Sequence, residues 1–336
     1  MERREFLKRI LMASGAAALA GIDPPARAQG DGAKSRVVVV RSLAMEQVTD
    51  PAAFAKLVIR MVHEAVCTLV GGGIAKEQAW PQFLHEGETV GVKMNCIAPP
   101  MCPHPAILEA VGEGAGFCGI PAEHVIGFDK EDRDLERSGF TINKTGPGVR
   151  CYGTVCRPPA TGSPGYETET TFRRDTAYRL SRIVSRQVKA LVNVPVIKDH
   201  SFAGISCSLK NHFGCIDNPN EFHYRNCCNP HIIDVNHDQN IKGKQRLILC
   251  DARAIQYEGG PSFKAECLQP YYAILAATDP VALDTIAMQI ISMAREKRGL
   301  EKLEDRKNKP LHIAEGAKQN LGTDDLSRIE VVAKEL

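Results

Sequence analysis

The sequence predicts an α/β fold, a largely parallel or mixed sheet flanked by helices. Three short apolar runs alternate with two helical patterns between Arg36 and Asp129, and strand–helix–strand repeats of this kind close by right-handed crossovers. Later in the chain the pattern breaks at an irregular, cysteine-rich excursion over residues 202–230.

The first run, RVVVVR at 36–41, is β-branched and reads as a buried strand. Asp50-Pro51 then supplies an N-cap with proline at the first helical position. Phe54, Leu57, Val58, Met61, Val62, Ala65 and Val66 follow at helical spacing, up to the stop at Gly71-Gly72-Gly73. GETVGVKMN (87–95) is the second strand, 104–116 the second helix and HVIGFD (124–129) the third strand. Residues 143–171 are rich in glycine, proline and threonine without period, and a subregion over 143–230 fits that change of character. VKALVNVPVIK (188–198), RLILCDARAIQYEGG (246–260) and YYAILAATDP (271–280) read as further strands. The helix over 280–298 carries Val281, Leu283, Ile286, Ala287, Ile290, Ile291 and Met293 on one broad apolar face. A helix near 313–320 and a strand at 329–333 complete the pattern, and the charged run 295–309 reads as a solvated helix end and loop.

The N-terminal residues are read as an address. Arg3 and Arg4 precede Phe6, Leu7 and Lys8 as in twin-arginine export signals. The uncharged run 10–22 falls short of the roughly 20 residues a membrane-spanning helix needs. Ala26-Arg27-Ala28 has the small-x-small form that signal peptidase accepts, so a signal over 1–28, cleaved near Ala28, and a single α/β domain over 29–336 are expected. The expected partner is the twin-arginine translocation machinery and the expected location periplasmic or otherwise extracytoplasmic, with no membrane span in the mature chain. With 42 basic and 40 acidic residues and no basic stripe interleaved with aromatics, nucleic acid is not expected as a partner.

Ligand-binding groups of open α/β sheets collect past the carboxyl ends of the strands. Here those ends carry Lys93 and Asn95; Lys198, Asp199 and His200; Asp251 with Glu258; and Asp279 with Asp284. Lysines at such positions suit a small anionic ligand. His200 and Lys198, two apart on one strand, and Lys210 are the candidate catalytic groups, with His200 as proton carrier because an ordinary imidazole titrates near neutrality. Asn211 joins Lys93 and Asn95 as a ligand-binding candidate, and Gly259-Gly260 as a turn where backbone can approach a ligand. Asp251, Glu258 and Asp284 with His212 form a candidate divalent-metal set. Asp279-Pro280 is also what a helix start needs by itself, and Asp284 can equally be a dipole-compensating acid. Cys67, Cys118 and Cys250 fall in apolar patterns. Cys207, Cys215, Cys227 and Cys228 cluster with His212, His223 and His231 and leave zinc, an iron–sulfur centre and disulfides open, since their spacing fits no strong metal pattern.

VGVKMN, VNVPVIKDHSFAGISCSLKNHFGCID, the stretch 251–261 ending in EGGP, and ATDPVALDTIA together resemble the domain-of-unknown-function 362 family, over about 36–322. The most specific element is K-x-H followed by L-K-N-x-F-G. The resemblance implies a prokaryotic α/β domain, often with a twin-arginine signal, sometimes fused to ferredoxin-like iron–sulfur modules, and with no general reaction assigned. The C-x2-C-x2-C-x3-C run of the fused members is missing here, so their cluster does not carry over. The functional expectation is an exported metal- or cofactor-binding protein, an enzyme or redox protein acting on a small anionic substrate. The alternative is a non-catalytic small-anion or metabolite binding protein.

Overall fold

The structure, a computed structural model, describes residues 34–156, 162–224 and 226–336. The expected export signal and its cleavage point lie outside the described residues.

Four consecutive valines form the strand beside one edge of the sheet. In β1 (Ser35–Arg41), Val37 and Val39 enter one apolar layer and Val38 and Val40 the other, and all four are buried. Burial on both faces is what a continuous apolar run demands. The described elements continue with α1 (Pro51–Leu69), β2 (Val90–Lys93), α2 (Pro105–Phe117), β3 (Val125–Phe128), β4 (Arg150–Cys151), β5 (Thr171–Arg173) and β6 (Thr176–Tyr178). After them come β7 (Ala190–Asn193), β8 (Val196–His200), β9 (Gly204–Ser206), the short α3 (Ser208–Asn211), α4 (His231–Asn236) and β10 (Gln245–Gln256). The described elements end with β11 (Leu268–Ala277), α5 (Pro280–Glu296), α6 (Leu311–Lys318) and β12 (Ile329–Glu335).

The main sheet has ten strands in the order β12-β1-β11-β10-β7-β2-β3-β4, with β8 branching from β10 and β9 pairing β8. It is mostly parallel, as expected, and α1 and α2 cover one face while α5 and α6 pack on the other. The exceptions have local causes. β11 runs antiparallel between β1 and β10, because residues 257–267 return directly as a hairpin instead of crossing over through a long helix. The run 188–198, expected as one strand, divides at Val194-Pro195, where proline has no N–H to offer the ladder. β7 stays between β2 and β10, whereas β8 turns off, carrying Lys198 and His200 away from the main ladder.

The stretch 202–230 is not an irregular excursion. It holds β9, α3 and several 3-10 turns, and Ala203, Ile205, Cys207, Leu209, Phe213, Cys215 and Ile216 are buried in the core. Arg295, at the start of the charged run, is also buried. Among the described residues no helix is long and apolar enough to cross a membrane.

Asp279 caps α5 as its Asp-Pro pair predicts, accepting from Val281 N at 2.9 Å and Ala282 N at 2.8 Å. Its other oxygen accepts from Ser35 Oγ at 2.6 Å and Thr323 N at 3.0 Å. Asp279→Ala is expected to lower stability by about 1–2 kcal/mol, seen as a lower Tm; an unchanged Tm would show the cap to be dispensable.

Candidate functional site

Three neighbouring strands end on one hydrogen-bonded network. Lys93, the last residue of β2, is buried and donates to Asp129 Oδ1 at 2.7 Å and to Asn211 Oδ1 at 3.1 Å. Asp129, just past β3, accepts from Cys96 N through its other oxygen at 2.7 Å. Asn211 Nδ2 donates to Asn193 Oδ1 at the end of β7, at 2.8 Å, and to Lys93 O at 3.1 Å. Asn95 Nδ2 donates to Asn211 Oδ1 at 3.2 Å, and Asn95 Oδ1 accepts from Lys198 Nζ at 3.1 Å. The L-K-N-x-F-G segment therefore reads as a structural sentence. Asn211 ties the strand ends together, and Phe213 lies under the Lys210 ammonium, 4.9 Å from ring centroid to nitrogen. Gly214 leaves room for the ion pair, because a Cβ there would sit 2.6 Å from Lys93 Nζ and 2.8 Å from Asp129 Oδ1.

Lys198, Lys210 and His200 come together beside this network. Lys210 Nζ donates to His223 Nε2 at 3.0 Å, while His223 Nδ1 donates to Pro219 O at 2.9 Å. The His200 and His223 rings stack with centroids 5.4 Å apart. His200 Nδ1 accepts from Phe202 N and Ala203 N, both at 3.2 Å, so the ring carries its proton on Nε2. Among the described residues no carboxylate pairs with Lys198 or Lys210. Burial, with the neighbouring Lys210 charge, brings Lys198 down to about 8, and burial brings Lys210 down to about 8. Burial and both ammonium groups push His200 far below the ordinary imidazole value, and burial and Lys210 push His223 down to about 4. The expected proton-carrying role of His200 thus does not suit its position: it stays neutral, and the two amines are the groups that titrate near neutrality.

The expected metal set does not gather. Asp251 accepts from His104 N at 2.9 Å and is gripped by Arg253 Nε at 2.9 and 2.8 Å. Glu258 pairs with Arg295. Asp284 accepts from Ser208 N at 2.7 Å and Leu209 N at 3.0 Å, holding the first turn of α3. Burial raises Asp284 to about 7 and lowers His312, 3.9 Å away, to about 3, so His312 meets it uncharged. His212 donates through Nδ1 to Asn236 Oδ1 at 2.8 Å. The Asn236 amide orientation is fixed by its own donation to Leu209 O and Ile232 O, both at 2.7 Å.

Among the described residues no group of three or more His, Cys, Asp or Glu is placed to hold a metal ion. The twelve cysteines are free thiols. Cys207 faces Cys250 with sulfurs 4.0 Å apart, and Cys228 donates to His223 O at 3.7 Å. Cys227 is half-buried in a left-handed backbone conformation, φ 55°. Burial drives Cys207 well above the usual thiol range, Cys215 to about 12 and Cys228 to about 11, which keeps those sulfurs protonated.

Gly259-Gly260 makes a close approach, but to protein. A Cβ on Gly260 would lie 1.7 Å from Asp199 O, and Gly260 N donates to Asp199 Oδ2 at 3.1 Å. Arg306 Nη1 reaches the same carboxylate, 2.5 Å from Oδ1, so part of the run expected to be solvated is a strap over β8. Gly260→Ala is expected to cost about 3 kcal/mol of stability through overpacking against backbone. In the α2 control Gly116→Ala, where nothing lies within 4 Å, stability should rise by about 0.5–1 kcal/mol. Equal urea midpoints for the two variants would show the contact at Gly260 to be slack.

Asp129, Asn193 and His312 complete the constellation without having been singled out as site residues, and His223, noted only beside the cysteine cluster, joins it through Lys210. Asp129 and Asn193 sit on strand ends and obey the rule that found Lys93; His312 arrives by tertiary folding, and no local pattern marks it. No curated protein matches the chain. Residues 90–289 match the family described as a domain of unknown function (DUF362), a stretch that contains the strand ends, α3 and the L-K-N-x-F-G segment. With more than half of its length matched, the chain belongs to the DUF362 family.

Proposed function

We propose that this chain binds a small anion, a carboxylate or a phosphate, between the Lys198 and Lys210 ammonium groups, and that one of these amines moves a proton on the bound substrate. One observation carries the reading: two buried amines lie in mutual electrostatic range with no carboxylate paired to either among the described residues. Unpaired buried charge is unfavourable, and an incoming anion relieves it. Among the described residues Lys198 donates to Asn95 and Lys210 to His223, which leaves two N–H donors on each ammonium for a ligand. The neutral His200 adds a donor at Nε2. An amine near 8 can give up or take a proton close to neutral pH, as general acid–base catalysis requires. Neither a metal nor an iron–sulfur centre is part of this proposal, because among the described residues no group of three or more His, Cys, Asp or Glu is placed to hold one. Export through the twin-arginine machinery, on the strength of Arg3-Arg4 and Ala26-Arg27-Ala28, would place the activity outside the cytoplasm.

Thermal shift with acetate, sulfate and phosphate at pH 7 tests the binding. Tm should rise with ligand concentration as RT ln(1 + [L]/Kd) dictates. Lys198→Met and Lys210→Met should each lose the response, and a response retained in both would overturn the proposal. Turnover of a bound compound, lost in the same variants, separates an enzyme from a non-catalytic binding protein.

A further inference from the structure

A cavity of about 300 Å3 lies against the loop 94–104, whose Asn95 accepts from Lys198. Its walls include Phe54 of α1, Met101 and Cys102 of that loop, Val196 of β8, Arg253 of β10 and Tyr272 of β11. The loop is pinned at both ends: Asn95 accepts from Lys198, and His104 N donates to Asp251. Val196 and Lys198 are two apart on β8, so their side chains share a face of the strand. The Cys102 thiol lies on the cavity wall, in electrostatic range of Asp251, Arg253 and Lys198. Val196 on the cavity wall and Lys198 are therefore neighbours on the same face of β8.

The wall chemistry states what the cavity takes. Arg253 is the cation on it, and its charge is matched by Asp251, while its Nη2 donates to Cys102 O at 3.3 Å and its plane lies 5.9 Å from the Phe54 ring centroid. A second anionic group would find no free charge there. The remaining walls are aromatic, thioether and aliphatic, and the volume matches the lower end of small-molecule sites. Tyr272 adds an independent mark. It holds φ 56° within β11, a conformation rare for non-glycine residues and concentrated at functional sites.

We propose that the ligand is a carboxylate or phosphate bearing a compact apolar body of about one aromatic ring, its head between Lys198 and Lys210 and its body in this cavity. The inference rests on the anion-binding reading above and names the substrate class for the same site.

The test compares phenylacetate with acetate, and phenyl phosphate with inorganic phosphate, by calorimetric titration of the full chain. Burying a ring is expected to tighten binding at least tenfold. Ala254→Phe, which fills the cavity from a half-buried position on β10, should remove that gain and leave acetate or phosphate binding intact. In the wild-type protein, phenylacetate at saturation should slow iodoacetamide labelling of Cys102, followed by peptide mass mapping, more than saturating acetate does. Equal affinities for each pair, with acetate binding still dependent on Lys198, overturn the apolar subsite and leave the anion site standing. Aryl ligands that bind equally well to Lys198→Met make the cavity an independent site and overturn the joined ligand. If none of the four compounds binds, the anion site itself fails, and the substrate class with it.

Discussion

Lys93→Met is expected to lower the unfolding free energy by about 3–5 kcal/mol, the cost of leaving a buried charge without its partner. Asp129 is only 5% exposed, and Lys93 is its one ion-pair partner among the described residues. Removing the amine leaves Asp129 with the backbone N–H groups of Cys96 and Lys130, and deprives Asn211 of a donor. Against the roughly 5–15 kcal/mol that holds a domain folded, such a loss brings the chain close to unfolding. Urea denaturation should show a sharply lower midpoint, with part of the loss recovered in Lys93→Met/Asp129→Asn, which removes the orphaned charge. A single-variant loss below about 1 kcal/mol would mean that the strand-end network contributes little.

The opposite sign is expected at Lys198, although it is equally buried. Its amine titrates near 8 in the folded chain against 10.5 in a free one. The folded state therefore binds the proton less tightly than the unfolded state. The resulting instability is fully present below pH 8 and is released as pH rises from 8 to about 10.5. A shift of that size amounts to about 3 kcal/mol. Lys198→Met should accordingly stabilise the ligand-free protein at pH 7 by about 2 kcal/mol, once loss of the Asn95 hydrogen bond is allowed for. The gain should shrink toward zero near pH 10.5, while the response to anions disappears. A destabilised variant at pH 7 would show that Lys198 has a structural partner and is not held in readiness for a ligand.

The contrast between these lysines marks how far sequence reasoning reaches. Strand-end position brought out Lys93, Asn95, Lys198 and His200 together, because parallel strands deliver their C-terminal residues to one edge. It could not tell a paired lysine from an unpaired one, since Asp129 is 36 residues from Lys93 along the chain and only the β2–β3 pairing brings them together. Asp251, Glu258 and Asp284 satisfy the same positional rule, yet each faces a different partner: Arg253, Arg295 and the amides opening α3. Side-chain direction decided those outcomes, and for Asp251 and Asp284 it depends on contacts more than 70 residues away in sequence. The run 188–198 was read through Pro195 as one strand, and the departure of β8 from the ladder, which places Lys198 and His200 beside Lys210, needed the whole sheet. The L-K-N-x-F-G segment was legible as a signature and gained its reason only from Gly214 lying against the Lys93–Asp129 pair.

Calorimetric titration of sulfate, whose charge is constant over the range, at pH 7 and again near pH 9.5 tests the central claim most directly. Anion binding that depends on ammonium groups titrating near 8 should weaken by at least about thirtyfold over that interval, since one deprotonated lysine alone accounts for a factor of that size. A sulfate affinity that is unchanged between the two pH values would contradict it.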